Sequence, residues 1–150
     1  MMNGGEVRDS IIHSVRVDPN LLAKPYLRPL YDEPEFVVRG IWRQFGGWWD
    51  GVPSRLKPAP EAQLAVELAT LAGGADRLAA RACEAADNGE FRIASHLVDL
   101  AAWAAPDDRE IHGVRAEVYR ARRASETSLM AKGIFAGAVR ESKAIAEGDV

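Results

Sequence analysis

Few side chains in this sequence have the types and spacings that catalysis requires. The three histidines, His13, His96 and His112, lie far apart, and none has a second histidine or a cysteine at zinc-ligand spacing. The only cysteine, Cys83, has no histidine on its own helical turn that could activate a thiolate. Phosphate-binding glycine loops and Gly-x-Ser-x-Gly nucleophile motifs are also missing. The sequence therefore predicts no catalytic, cofactor-binding or metal-binding residue in this chain.

The most informative cluster combines aromatic and charged side chains within twelve positions. We take five of them as candidate interface or active-site-wall residues: Arg39, Trp42, Trp48, Trp49 and Asp50. Such rings can fill the space under a loop that an arginine–carboxylate pair holds. They can equally form an interface, because Trp and Arg contribute much of the energy of protein contacts. Residue types leave both roles open. We expect Trp48 and Trp49 to be at least partly buried and Asp50 to bind a basic or backbone donor.

A second candidate interface lies on the last predicted helix. Met130 and Ile134 begin an apolar stripe there, beside the small residues Gly133 and Gly137. In a helix this pattern indicates tight packing, either within the chain or against a second one.

The elements that carry these residues are predicted to be helical. Residues 1–31 are predicted to form an extended, proline-rich arm, with a helical turn or two at Val7–Val15. Prolines 19, 25 and 29 prevent a continuous helix, so the chain from Asp18 to Tyr31 is mostly extended or turned. Residues 32–58 form a helix that Asp32 caps and Gly46-Gly47 ends, followed by a Trp-rich loop. Residues 59–150 form a helical array. The three segments together are predicted to form a single domain, residues 1–150.

The array is predicted from apolar spacing and turn residues. Leu64, Leu68 and Leu71 form the apolar stripe of its first helix. Further helices are predicted at about residues 75–87, 90–104, 107–124 and 126–146. Asp107 begins a capping box for the third of these, and Ser125 is predicted to cap the last. Small apolar residues between Leu78 and Ala101 match one tetratricopeptide unit of about 34 residues. The fold class is all-α, with antiparallel helix pairs and a tetratricopeptide-like core.

Composition excludes several functions. Asp and Glu number 22 against 19 Lys and Arg, which gives a net charge of −3 and argues against nucleic acid as a partner. No stretch approaches about 18 uninterrupted apolar residues, so we expect no membrane span. The start of the chain lacks the apolar segment of a signal peptide, and the compartment stays unknown.

Several segments resemble the alkyl sulfatase dimerisation domain. The resemblance begins at Pro25-Tyr26-Leu27-Arg28-Pro29-Leu30-Tyr31-Asp32-Glu33-Pro34-Glu35-Phe36-Val37-Val38-Arg39. It continues through Gly46-Gly47-Trp48-Trp49-Asp50-Gly51 and Leu56-Lys57-Pro58, and resumes at Gly73-Gly74-Ala75-Asp76 and Glu126-Thr127-Ser128-Leu129-Met130. Phe45 and Val52 stand where the family often has a tyrosine and an asparagine, so no hydroxyl or amide function is carried over to them.

The resemblance implies a homodimerisation domain of a zinc-dependent sulfuric-ester hydrolase. Its parent would belong to the metallo-β-lactamase superfamily, with two zinc ions in a preceding catalytic domain that would be a partner of this segment. The helical domain would pair two subunits and help to wall the active-site entrance. A sterol-carrier-like domain commonly follows it. The alternative from another class is a free-standing tetratricopeptide-like adaptor that binds a peptide of another protein.

Overall fold

The computed structural model describes residues 1–149, and within them every regular element is helical. The eight α-helices are α1 (Arg8–Ser14), α2 (Pro19–Leu22), α3 (Pro34–Phe45), α4 (Glu61–Ala72), α5 (Ala75–Asp87), α6 (Phe91–Ala104), α7 (Arg109–Ser125) and α8 (Leu129–Glu147). The predicted all-α class is confirmed.

The chain divides into two compact units. The first comprises Met1–Pro58 with Thr127–Met130, and the second comprises Ala59–Glu126 with the chain from Ala131 onward. The first unit contains α1 to α3, and α1 packs against α3. The start of α8 joins it through backbone hydrogen bonds, in which the Leu129 amide donates to the Leu30 carbonyl at 2.7 Å and the Met130 amide donates to that of Tyr31 at 3.3 Å.

In the second unit, α6 lies between α4, α5 and α7 and packs against all three. The positions predicted to let helices approach closely are buried: Leu78, Ala82, Ala85, Ala94, Val98 and Ala101. Four of these six are alanines, whose small side chains permit short distances between helix axes. Val118 and Tyr119 of α7 belong to a buried apolar cluster, and Phe135 of α8 packs against it.

Glycine and proline residues mark several helix ends correctly, whereas three predicted N-terminal capping residues are wrong. Glu33 precedes α3 in place of Asp32, whose carboxylate instead accepts from the Glu33 amide. Asp108 caps α7 in place of Asp107, because its Oδ1 accepts from two amides of the first turn. Ser125 ends α7 and does not cap α8, which begins later, at Leu129. Side-chain caps compete between neighbouring polar residues, so spacing alone places them only to within a few positions.

The predicted stripe of α4 is wrong for two of its three leucines. Leu64 and Leu71 are 51% and 83% exposed and Leu68 is half-buried, while the buried residues of α4 are Ala65 and Ala69. Alanines admit the close approach to α6 that leucines at the same contact would prevent. Within residues 1–149, no helix combines the length and apolar character that crossing a membrane requires.

Candidate interaction surface

Asp50 is the centre of a polar cluster that fixes the Trp-rich loop of the first unit. Its Oδ2 accepts from Arg55 Nη1 at 2.7 Å and from Arg8 Nη2 at 3.2 Å, and its Oδ1 accepts from the Val52 amide at 3.1 Å. The hydrogen bond from Arg55 is the main reason why the pKa of the Asp50 carboxyl lies below its ordinary value. Asp50 thus has the predicted basic and backbone donors.

The identity of these donors is a result of the tertiary structure. Arg39 is the basic residue of the predicted cluster, but its Nη2 donates to Glu35 Oε1 on the same helix at 3.4 Å. Arg55 lies only five residues after Asp50, and this spacing is a signal that sequence reasoning missed. Arg8 lies 42 residues away and had no such signal.

The tryptophans of the loop differ in their surroundings. The Trp42 indole N–H donates to the Trp49 carbonyl at 3.1 Å, which ties α3 to the loop. Trp49 is 43% exposed and Trp48 is 75% exposed. The expectation of partial burial is therefore wrong for Trp48 within one chain. Its indole projects a large apolar surface into solvent, as a contact residue does before its partner binds.

The apolar side of α3 is unpartnered in the single chain. None of the residues Pro34–Phe45 is fully buried, although the helix is amphipathic. Val37, Ile41 and Phe45 recur at intervals of four and are 50%, 46% and 72% exposed. Phe36, Val38 and Trp42 are half-buried, whereas the side of α3 that carries Val37, Ile41 and Phe45 remains largely exposed.

A groove of about 500 Å³ runs beside this side of α3. Its walls are mainly the aliphatic side chains Val15, Leu22, Leu27, Val37, Val38 and Ile41. The arm supplies the first three and α3 the others. The arm thus forms one wall of an open groove.

The candidates of the last helix lie in different units. Met130 is half-buried in the first unit, next to the Ser128 hydroxyl, which donates to the Tyr31 carbonyl at 2.6 Å. Ile134 belongs to the second unit and is 62% exposed.

The second unit has a buried polar network on α6, α7 and α8. Arg115 donates to Asp99 through Nε at 2.7 Å and to the Ser142 hydroxyl through Nη1 at 2.8 Å. His112 Nε2 contacts the Pro106 carbonyl at 2.9 Å, and because a carbonyl only accepts, that nitrogen carries the proton. His112 Nδ1 then accepts from Ser142 at 3.3 Å.

This serine–histidine pair is structural. Ser142 has no exposed surface, and its oxygen already accepts from Arg115, so no substrate can reach it. Among the residues that the structure describes, no three His, Cys, Asp or Glu side chains come together as a metal-ion site. We therefore take the exposed side of α3 with its groove as the candidate interaction surface.

A family model described as "Alkyl sulfatase dimerisation" matches residues 7–144 of the sequence. The chain belongs to this family. Curated relatives include a linear primary-alkylsulfatase of Pseudomonas sp. (strain ATCC 19151), 29% identical over 150 residues. An alkyl/aryl-sulfatase of Saccharomyces cerevisiae is 27% identical over 110 residues, and an (R)-specific secondary-alkylsulfatase of Pseudomonas sp. is 28% identical over 118 residues.

These relatives are much longer than the matched segment. The alignment with the linear primary-alkylsulfatase covers 99% of this chain and 28% of that protein. The other two alignments cover 73% and 78% of this chain, and 17% and 18% of the relatives. The chain thus spans between about a sixth and somewhat over a quarter of the relatives it matches.

Solved structures share the fold. The stereoselective inverting sec-alkylsulfatase Pisa1 from Pseudomonas sp. superposes with a TM-score of 0.83 at 21% identity, over 98% of this chain and 23% of that one. A double mutant of the sec-alkyl sulfatase PisA1 gives the same TM-score at 22% identity and the same coverage.

Proposed function

We propose that this alkyl sulfatase dimerisation domain pairs two copies of itself through the first unit. The observation that carries the proposal is the uncovered apolar side of α3, where Val37, Ile41 and Phe45 are each about half exposed or more. A monomeric domain gains free energy by covering such a side, at roughly 25 cal/mol per Å² of apolar surface. The family's description supplies the expected cover, a second subunit.

The chemistry of the groove favours a dimer over a peptide adaptor. An adaptor needs polar side chains that hold the backbone of an extended peptide. Nine of the eleven residues that line the groove beside α3 are instead Val, Leu, Ile or Pro, and the other two are Asp32 and Glu33. Apolar walls of this kind suit the centre of a homodimer interface, which is more apolar than the remaining surface.

Light scattering on the purified chain tests this function. The expected mass is twice the 16.4 kDa of one chain at micromolar concentration. On dilution, the monomer should appear only when the protein concentration approaches the dissociation constant of the dimer. A mass of one chain at every concentration would contradict the proposal.

We further propose that the whole protein hydrolyses sulfate esters and that this domain helps to wall the entrance of its active site. The names of the relatives support sulfate-ester chemistry. Zinc ions would reside in another domain, because the histidines here do not fit a metal: His112 uses both ring nitrogens within the core, and His13 is exposed beside Asp9. The exposed indole of Trp48 is the candidate wall residue.

Sulfate release from dodecyl sulfate tests the division of roles. The 150-residue chain alone should release none, with or without added zinc. A longer form that includes the expected catalytic domain should be active. In that form, Trp48→Ala should raise KM without lowering kcat if the indole lines the entrance, while Trp103→Ala serves as a control on α6 of the second unit.

A further inference from the structure

The charged residues of α3 occupy one side and leave the opposite side without charge. Glu35, Arg39 and Arg43 repeat at intervals of four, displaced by two positions from Val37, Ile41 and Phe45. Two residues correspond to roughly 200° around a helix, so the two series lie on opposite sides. Arg39 binds Glu35 on this charged side, and the Arg39 side chain is about half exposed.

This arrangement permits α3 to pair with itself. When two copies of the same surface meet across a two-fold axis, a charged residue near the axis lies close to the identically charged residue of the second copy. The uncharged side of α3 avoids that repulsion. The exposed Leu64 and Leu71 of α4, in contrast, lie on a helix that carries Glu61 and Glu67 and no basic residue. Two copies of α4 would bring carboxylates together.

We infer that the two-fold axis of the dimer passes beside Ile41 and that the two α3 helices run antiparallel across it. This inference rests on the proposed homodimer and specifies its geometry. Ile41 lies midway between Val37 and Phe45, four residues from each, which is about 6 Å along the helix. The antiparallel register therefore places Phe45 of one copy opposite Val37 of the other.

The groove beside α3 explains why this register is self-complementary. Val37 and Ile41 form part of its wall, and its volume is about 500 Å³. The Phe45 ring is 72% exposed and lies one turn beyond Ile41. Each copy thus presents a protruding ring at one end of the pairing surface and a cavity at the other. Under two-fold symmetry, the Phe45 ring of each copy enters the cavity of the other copy, so both cavities are filled.

Cysteine cross-linking in a Cys83→Ala background tests the axis. Helices in contact lie about 8–10 Å apart, and side chains that face each other at the axis have Cα atoms within disulfide range. Ile41→Cys should form a disulfide-linked dimer on mild oxidation. Arg39→Cys, on the opposite side of the same helix, is the matched control and should remain monomeric on a non-reducing gel. Equal linkage of both variants, or none with Ile41→Cys, would overturn the assignment.

The register has its own test. Positions 37 and 45 are about 12 Å apart on one helix, too far for a disulfide within a chain. Val37→Cys and Phe45→Cys should each fail to cross-link alone, while the double variant should link through two reciprocal bonds. Linkage of each single variant to its own copy would indicate parallel helices and refute the antiparallel pairing.

Charge insertion separates failure of this inference from failure of the proposed function. Ile41→Asp should raise the dimer dissociation constant at least ~100-fold, since it buries an unpaired carboxylate twice. Its circular dichroism should match that of the parent chain. Leu71→Asp, at an 83% exposed position of α4, is the control and should leave the dimer intact. A dimer that resists Ile41→Asp but is split by Ile134→Asp would move the axis to α8 and keep the homodimer. A parent chain that is always monomeric would refute both.

Discussion

The hydroxyl of Tyr119 donates to the Oδ2 atom of Asp99 at 2.7 Å, between α7 and α6 of the second unit. Arg115 binds the other oxygen of the same carboxylate and lies 5.2 Å from the centre of the Tyr119 ring. The two donors and the carboxylate thus form one closed set of contacts. This set links two helices that otherwise contribute apolar side chains, such as Val98 and Val118, to the core.

Tyr119→Phe should destabilise the chain by about 1–2 kcal/mol, because it removes one hydrogen bond to a charged group and leaves the ring in place. Urea denaturation measures the difference. Tyr26→Phe is the matched control, since Tyr26 is 78% exposed, and it should change the unfolding free energy by no more than a few tenths of a kcal/mol. An equal loss in both variants would mean that the Asp99 contact contributes nothing.

The same pair predicts a loss of stability at high pH. Burial, with the hydrogen bond to Asp99 next in size, raises the pKa of Tyr119 above its ordinary value of 10.0. The folded state therefore holds this proton more tightly than the unfolded state. The resulting stabilisation is complete below pH 10 and is lost as the pH rises towards the folded pKa. In urea titrations, the stability difference between the parent chain and Tyr119→Phe should shrink above pH 10. A difference independent of pH would contradict the shifted pKa.

Asp50→Asn should lower the thermal midpoint at neutral pH, because Arg8 and Arg55 lose their common carboxylate. The lowered pKa of Asp50 means that the folded state binds its proton less tightly than the unfolded state. The stabilisation is thus present above the ordinary value of 3.8 and disappears as the pH falls through the folded pKa. Thermal unfolding between pH 7 and pH 2 measures this, with Asp107→Asn as the exposed control. A deficit that persists at the lowest pH would point to packing as its cause.

Gly51→Ala should destabilise the Trp-rich loop by about 1–2 kcal/mol through backbone strain, and by more where Val7 cannot move. Gly51 has φ +92°, and an added Cβ would lie 2.7 Å from Val7 Cγ1. Gly47→Ala is the control, because Gly47 has φ +81° but open space around it. The difference in thermal midpoint between the two variants therefore measures the contact with Val7. Identical midpoints would show that Val7 moves aside without cost.

Much of the fold could be predicted from glycine and proline positions together with small-residue spacing. The predicted end of α3 at Gly46 and the span Ala75–Asp87 agree with the structure. The reason is local: Gly47, just after α3, and Gly89, just after α5, have φ of +81° and +76°, a conformation that ends helices and that other residues rarely adopt. The family could also be recognised from contiguous segments, because the Trp-Trp-Asp-Gly loop and the prolines around it are specific in themselves.

The tertiary structure decided which apolar residues face inward and which charges meet. Periodicity shows that α4 has an apolar side, but Leu64 and Ala65 both fit such a pattern. The packing of α4 against α5 and α6 buries Ala65 completely and leaves Leu64 half exposed, since little space remains between packed helices. Asp50 likewise required a cation, yet only the folded first unit brings Arg8 to it from 42 positions away. Local sequence determines where helices begin and end, whereas burial and long-range ion pairs depend on distances that exist only after the helices have packed.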